Sequence, residues 1–178
     1  TNDFLNKAFE KIVGTYDRNI NLGRMSNNDK DSILNNFKGD TDLNTLSDRD
    51  LIIEAVFEEM EVKKDVFKKL NSICSNETIL ATNTSYLNVN EIAEVVSSPD
   101  RVLGLHFFSP ANIMKLLEII VGEKTSANTV ATVFSLGKKM KKIPVRSGVC
   151  DGFIGNRILS KYLVATYHMV EDGASIYD

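Results

Sequence analysis

The sequence predicts an α/β protein built on a mainly parallel sheet. Two observations lead there. From about residue 50 onward, short apolar β-rich runs alternate with longer amphipathic stretches, the rhythm of strands joined by crossover helices. The short runs read as continuously apolar rather than alternating, as strands covered on both faces do.

The elements follow in order. Leu5, Ala8, Phe9, Ile12, Val13, Tyr16 and Ile20 recur at helical spacing, so a first amphipathic helix is expected to end near Gly23. The stretch "SNND" (Ser26 to Asp29) has the form of a helix-start box. It precedes Ile33, Leu34 and Phe37, with Gly39 as the expected stop. "DLIIEAV" (50–56) is the first strand candidate, and "EEMEVKKDVFKKLNSI" (58–73) a charged amphipathic helix. "TILATN" (78–83), "RVLGLHFF" (101–108), "MKLLEIIVG" (114–122) and "KIPVRS" (142–147) are the further strands. "SANTVATVFSLGKKM" (126–140) is helical, and a long helix is expected from Asp151 to Gly173.

The bulk numbers exclude several classes. At 178 residues the chain can bury one sizeable core. A hydrophobic content of 43%, a charged content of 25% and a net charge of -3 suit a globular protein and argue against a nucleic-acid footprint. No apolar run approaches the roughly 18 residues of a membrane span. The polar start "TNDFLNKAFE" does not read as a secretory signal. Cys74 and Cys150 stand outside any CxxC or Cys/His cluster. They suggest two reduced thiols in a cytoplasmic protein with no zinc site.

In open α/β sheets, ligands bind beyond the carboxyl ends of the strands. The strand ends here carry Phe57-Glu58, Asn83-Thr84-Ser85, and His106 followed by Ser109-Pro110. Glu118 differs, because it lies inside the apolar run "KLLEII". A carboxylate there is costly unless paired. His106, on a neighbouring strand, is one available partner, and Lys115 or a helix lysine is another. A carboxylate bonded to one imidazole nitrogen leaves the other free as a base. Taken singly, each of these residues has a plainer reading. A strand histidine is more often a core residue, Ser85 a turn residue and Asn156 an indifferent helix residue. They gain weight together because one cleft could collect all four.

"IEAVFEEMEVKKDVF", "ILATNTSYL", "GLHFFSPANIMKLLEII" and "DGFIGNRI" occur in this order over nearly the whole chain. Together they resemble the 3-hydroxyacyl-CoA dehydrogenase family. The resemblance implies a Rossmann-like, doubly wound domain and NAD-dependent oxidation of a 3-hydroxyacyl-CoA, or the reverse, in fatty-acid metabolism. It implies that His106 is the catalytic base and Glu118 the carboxylate that orients it. Ser85 and Asn156 would lie at the substrate oxygen. Glu58, Lys63, Asn83, Ser85 and Ser109 would lie along the cofactor, although many relatives have asparagine at the position of Ser109.

The family opens with a strand, a G-x-G-x-x-G turn and a helix that seat the pyrophosphate. The ten glycines here include no G-x-G. The expectation is therefore a partial domain over 1–150 lacking the first β-α-β unit, followed at 151–178 by the first helix of the family's helical domain. In the doubly wound order the missing strand would lie beside "DLIIEAV", leaving that strand with a bare edge that invites pairing. An acyl-CoA substrate is implied, together with a homo-oligomer or a second chain that supplies the missing unit. The alternative is an inactive remnant serving as a binding or assembly module. Oxidation of a small hydroxy acid on a related fold would not need the "HFFSPANIMKLLE" block.

Overall fold

A computed structural model describes residues 1–177. The chain forms two compact units, residues 1–45 and the remainder from Leu46. The first is a helical pair, α1 (Asn2–Asn21) and α2 (Asn27–Leu34). Gly23 closes α1 with a φ of 67°, as expected for a residue in left-handed conformation beyond a helix end. Ser26 opens α2 with a complete capping box. Its hydroxyl accepts from the Asp29 amide, and the Asp29 carboxylate accepts from the Ser26 amide. Lys30 joins the two helices through Asp17 at 2.7 Å. Gly39 is not the stop: α2 ends at Leu34, and Gly39 instead lies against Leu5 and Phe9 of α1.

The second unit holds the sheet. Its elements are β1 (Leu51–Glu54), α3 (Met60–Ile73), β2 (Ile79–Thr82), α4 (Val89–Ala93), β3 (Val102–Phe107), β4 (Leu116–Val121), α5 (Ala127–Lys139), β5 (Ile143–Gly148) and α6 (Gly155–Glu171). The strand order follows the sequence, β1 to β5. β1–β2, β2–β3 and β4–β5 are parallel, whereas β3 and β4 run antiparallel. This makes an α/β sheet that is mostly parallel and Rossmann-like. The sequence pattern missed the antiparallel pair because both strands are apolar throughout. Buried on both faces, an antiparallel strand loses the alternation that usually marks it.

Each face of the sheet has its own core. Under α3 and α4 lie Ile52, Phe67, Leu70, Leu80, Ile92 and Val102. Under α5 lie Ala81, Leu103, Leu105, Leu117, Ile119 and Val133. Arg101 is buried between α3 and the start of β3, where its guanidinium donates to the Ser75 and Thr78 carbonyls and to Asn71. α4 escaped the sequence reading because it is only five residues long.

Both sheet edges and the last helix remain open. At β1, Ile53 is 39% exposed while its neighbours Ile52 and Glu54 are buried, and at β5 Ile143 is 58% exposed. The expectation that every strand is covered on both faces therefore fails at β1 and β5. α6 buries no residue and exposes Ile158, Leu159, Tyr162, Val164 and Tyr167. No described helix is long and apolar enough to cross a membrane.

Phe67 is fully buried on the inner face of α3. Replacing it with alanine removes a ring from a packed interior and leaves a cavity. Phe67→Ala should lower unfolding stability by roughly 3–5 kcal/mol. Urea denaturation is the check, and a loss well below 1 kcal/mol would mean that this face is not tightly packed.

Candidate active site

The antiparallel pairing of β3 and β4 builds the central feature. Its register sets His106 directly opposite Glu118, so both side chains leave the same face of the sheet. Both are buried, at 4% and 0% exposure. His106 Nδ1 lies 2.6 Å from Glu118 Oε2. Nε2 is thus the ring nitrogen left for chemistry. The Phe108 and Phe153 rings flank the imidazole, with centroids 4.6 and 5.8 Å away.

The other oxygen of Glu118 has a different task. Oε1 accepts from the backbone amides of Ile154 and Gly155, at 3.0 and 2.8 Å. These amides open α6 and would otherwise lack partners. Asp151, the expected start of this helix, lies exposed in the preceding turn, and α6 begins at Gly155. The carboxylate from β4 takes the capping role because a buried acid needs donors and the helix start has donors to spare. The turn that aims these amides has two consecutive left-handed residues, Gly152 at φ 66° and Phe153 at φ 48°. A Cβ on Gly152 would come within 2.9 Å of the Arg157 nitrogen, so glycine is required there. Phe153 has a Cβ and adopts this sparsely populated conformation beside the site, where such strain tends to collect.

The ends of β1 and β2 carry a second network. Glu58 follows β1, and its Oε1 accepts from Thr84 Oγ1 (2.5 Å), the Ser85 amide (2.7 Å) and the Tyr86 amide (3.1 Å). Ser85 is thereby held through its backbone. Burial pushes the Glu58 carboxyl up. Hydrogen bonds from Thr84, Ser85 and Tyr86 and the Lys63 charge outweigh that, holding it below the ordinary 4.5. Lys63 sits inside the protein at 1% exposure, its ammonium 2.8 Å from Glu54 and 3.3 Å from Glu58. Asn83 Oδ1 accepts from the Phe107 amide at 2.9 Å, tying the β2 end to the β3 end next to His106. Ser109 lies exposed in the loop after β3. Asn156, in the first turn of α6, lines a groove with Tyr86, Leu159, Leu163 and Tyr167. The groove brings Asn156 to the loop that carries Ser85.

Sequence reasoning missed Glu54. It is buried at the end of β1 and accepts from Thr82 Oγ1 (2.7 Å), the Val56 amide (2.6 Å) and Lys63. The signal that singled out Glu118, a glutamate inside an apolar run, was present in "LIIEAV" as well. The aromatic walls of Phe108 and Phe153 were also missed, since apolar residues in apolar runs carry no mark of their own.

Because Glu58 is depressed in the folded protein, its contribution to stability is complete above 4.5 and lost as pH falls through its own lower value. The stability gap between the parent and Glu58→Gln should therefore close on acidification below that point. A carboxyl titration followed by NMR should give Glu58 a midpoint under 4.5. A midpoint at or above that value would contradict the network.

Comparison with known proteins shows the family of the chain. The family described as "3-hydroxyacyl-CoA dehydrogenase, NAD binding domain" matches residues 1–150. A peroxisomal bifunctional enzyme of Danio rerio is 47% identical over 93% of this chain, which spans 22% of that protein. A 3-hydroxybutyryl-CoA dehydrogenase of Clostridioides difficile is 42% identical over 94% of the chain, which spans 61% of that protein. The crystal structure of (S)-3-hydroxybutyryl-CoA dehydrogenase from Ralstonia eutropha superposes with a TM-score of 0.96 at 32% identity. The superposition covers 99% of this chain and 63% of that one. The chain thus spans under two thirds of the length of each of these relatives, and it belongs to the 3-hydroxyacyl-CoA dehydrogenase family, its residues 1–150 matching the NAD-binding domain.

Proposed function

We propose that the chain serves the NAD-dependent interconversion of (S)-3-hydroxyacyl-CoA and 3-oxoacyl-CoA in fatty-acid metabolism. The observation that carries this reading is the buried His106–Glu118 pair, 2.6 Å apart on neighbouring strands of a Rossmann-like sheet. His106 Nε2 takes the proton of the 3-hydroxyl. Glu118 fixes the ring through Nδ1 and offsets the positive charge that forms on it. Ser85 and Asn156 donate hydrogen bonds to the oxygen as it becomes a carbonyl. The Phe108 and Phe153 rings keep water from the imidazole.

The donor set fits one half of NAD. Glu58, Asn83 and Ser85 lie at the carboxyl ends of β1 and β2, where a carboxylate, an amide and a hydroxyl can meet a ribose and a carboxamide. Ser109 is a further polar group in the loop after β3. Lys63 would act through Glu58, since its ammonium is buried against the protein's own carboxylates. NAD, when bound, would supply the acceptor for the hydride that leaves C3. A pyrophosphate seat is a different matter, because these residues contain no glycine-rich turn. We propose that residues 1–150 are a partial NAD-binding domain and 151–178 the start of a helical domain. The pyrophosphate seat would then come from a segment outside these residues or from another chain. We propose a cytoplasmic location from the sparse, unpaired cysteines, whereas several relatives are named as peroxisomal.

The open edge of β1 and the exposed apolar side chains of α6 support an assembly with a second copy or with the supplying segment. Sedimentation at micromolar concentration should show a dimer or a larger species. A monomer that binds no hydrophobic dye would overturn this.

NADH titration separates the enzyme reading from that of an inactive remnant. The chain alone should turn over acetoacetyl-CoA slowly and bind NADH weakly, with both restored when a glycine-rich strand–turn–helix unit is supplied. In the restored enzyme, His106→Gln should lower kcat by roughly 10²–10⁴-fold, the contribution of a general base. A kcat close to the parent value would exclude His106 from that role.

A further inference from the structure

We infer that Glu54 is a positioning residue. Its carboxylate holds the Lys63 ammonium, Lys63 holds Glu58, and Glu58 holds the loop that presents Ser85. The inference deepens the proposed function and rests on it for the role of Ser85.

The chain of bonds is continuous. Glu54 Oε1 takes the Val56 amide at 2.6 Å and Lys63 Nζ at 2.8 Å, and its Oε2 takes Thr82 Oγ1 at 2.7 Å. Lys63 Nζ reaches Glu58 Oε2 at 3.3 Å and the Val56 carbonyl at 3.4 Å. Glu58 then collects the Thr84 hydroxyl and the Ser85 and Tyr86 amides. Burial is graded along the way. The side chains of Glu54 and Lys63 are 1% exposed, whereas Glu58 is 39% exposed. The network leads from the core to the surface at the carboxyl ends of β1 and β2, where an open α/β sheet binds its ligand.

Stability alone does not account for Lys63. It shares the buried face of α3 with Phe67 and Leu70, at spacings that place all three on one stripe. A methionine or leucine there would pack the core without desolvating a charge, and replacing a buried ion pair by apolar residues is often neutral or stabilising. The ammonium gives something an apolar residue cannot. It bridges two carboxylates on either side of the β1–α3 turn, so that Glu58 is fixed relative to β1 rather than left to swing with its loop. Glu54 is what makes a lysine tolerable at that position, and it anchors the assembly to β2 through Thr82.

The test compares the parent chain with Glu54→Gln, Lys63→Met and the double variant. Urea unfolding reports the structural cost, and hydrogen exchange of single amides reports the loop. Lys63→Met strands the Glu54 carboxylate, and Glu54→Gln leaves the Lys63 ammonium with Glu58 as its one nearby carboxylate, so each single variant should lose stability and the double variant should regain much of it. The Ser85 and Tyr86 amides should behave differently. In Glu54→Gln and in the double variant they should exchange roughly tenfold or more faster, the scale of one charge-assisted hydrogen bond. The amides of β3 and β4 should keep the parent rate in the double variant. If Glu54→Gln does not fold, the double variant, with neither charge to bury, decides. Parent-like protection of Ser85 and Tyr86 in the double variant would overturn the inference, as would uniform acceleration of every amide, which marks a purely structural role. NADH fluorescence forms the second arm. Affinity should fall in each variant whose loop has loosened, and an unchanged affinity in such a variant would remove Glu54 from the site. A parent that binds no NADH even with the glycine-rich unit supplied would overturn the cofactor reading, while the exchange data still decide how the loop is held.

Discussion

A carboxylate with no access to water governs the second unit. Glu118 is completely buried, and such a group is tolerated only when its oxygens find donors. One oxygen finds the His106 ring and the other finds two amides at the start of α6. Meeting the first need requires β3 and β4 to be antiparallel in the observed register. Meeting the second requires the chain to turn sharply after β5 and aim its amides inward, through Gly152 and Phe153. The dyad and the origin of the last helix are therefore one arrangement, joined through the two oxygens of a single side chain.

The twelve positions that separate His106 from Glu118 have a geometric reason. Two strands folded back on each other around Asn112 bring residues equally distant from that point face to face. A slip of one residue would send every side chain of one strand to the opposite face. The apolar neighbours Leu105, Leu117 and Ile119 are all buried in the core under α5, and they resist any such slip. The packing that stabilises the sheet also fixes the distance between the imidazole and its carboxylate.

Much of this was legible in the sequence. Period and punctuation located the long elements, and the capping box at Ser26 was read correctly because it is a local signal. His106 and Glu118 stood out because polar groups inside apolar runs need a partner. What could not be read is non-local. The direction of β4 leaves no trace in a run that is apolar throughout. The cap of α6 comes from a residue far away in the sequence, so the nearer Asp151 drew the assignment. Lys63 stands out only through the family resemblance, which sets it along the cofactor, and its burial goes unread although its spacing to Phe67 and Leu70 puts it on the apolar stripe. Glu54 carries the same signal as Glu118, a glutamate inside an apolar run, and goes unread.

The antiparallel pair also bears on the order in which the molecule can assemble. β3 and β4 are joined across residues 108–115, whereas β1 reaches β2 only after the whole of α3. Closing a short loop loses less chain entropy than closing a long one, and contacts of low sequence separation form faster. The hairpin that contains both members of the dyad is thus the part of the sheet with the least to overcome kinetically. The parallel strands on either side can add to a template that is already in register. The His106–Glu118 geometry is set by one of the most local pairings in the sheet, and errors in pairing the distant strands need not disturb it.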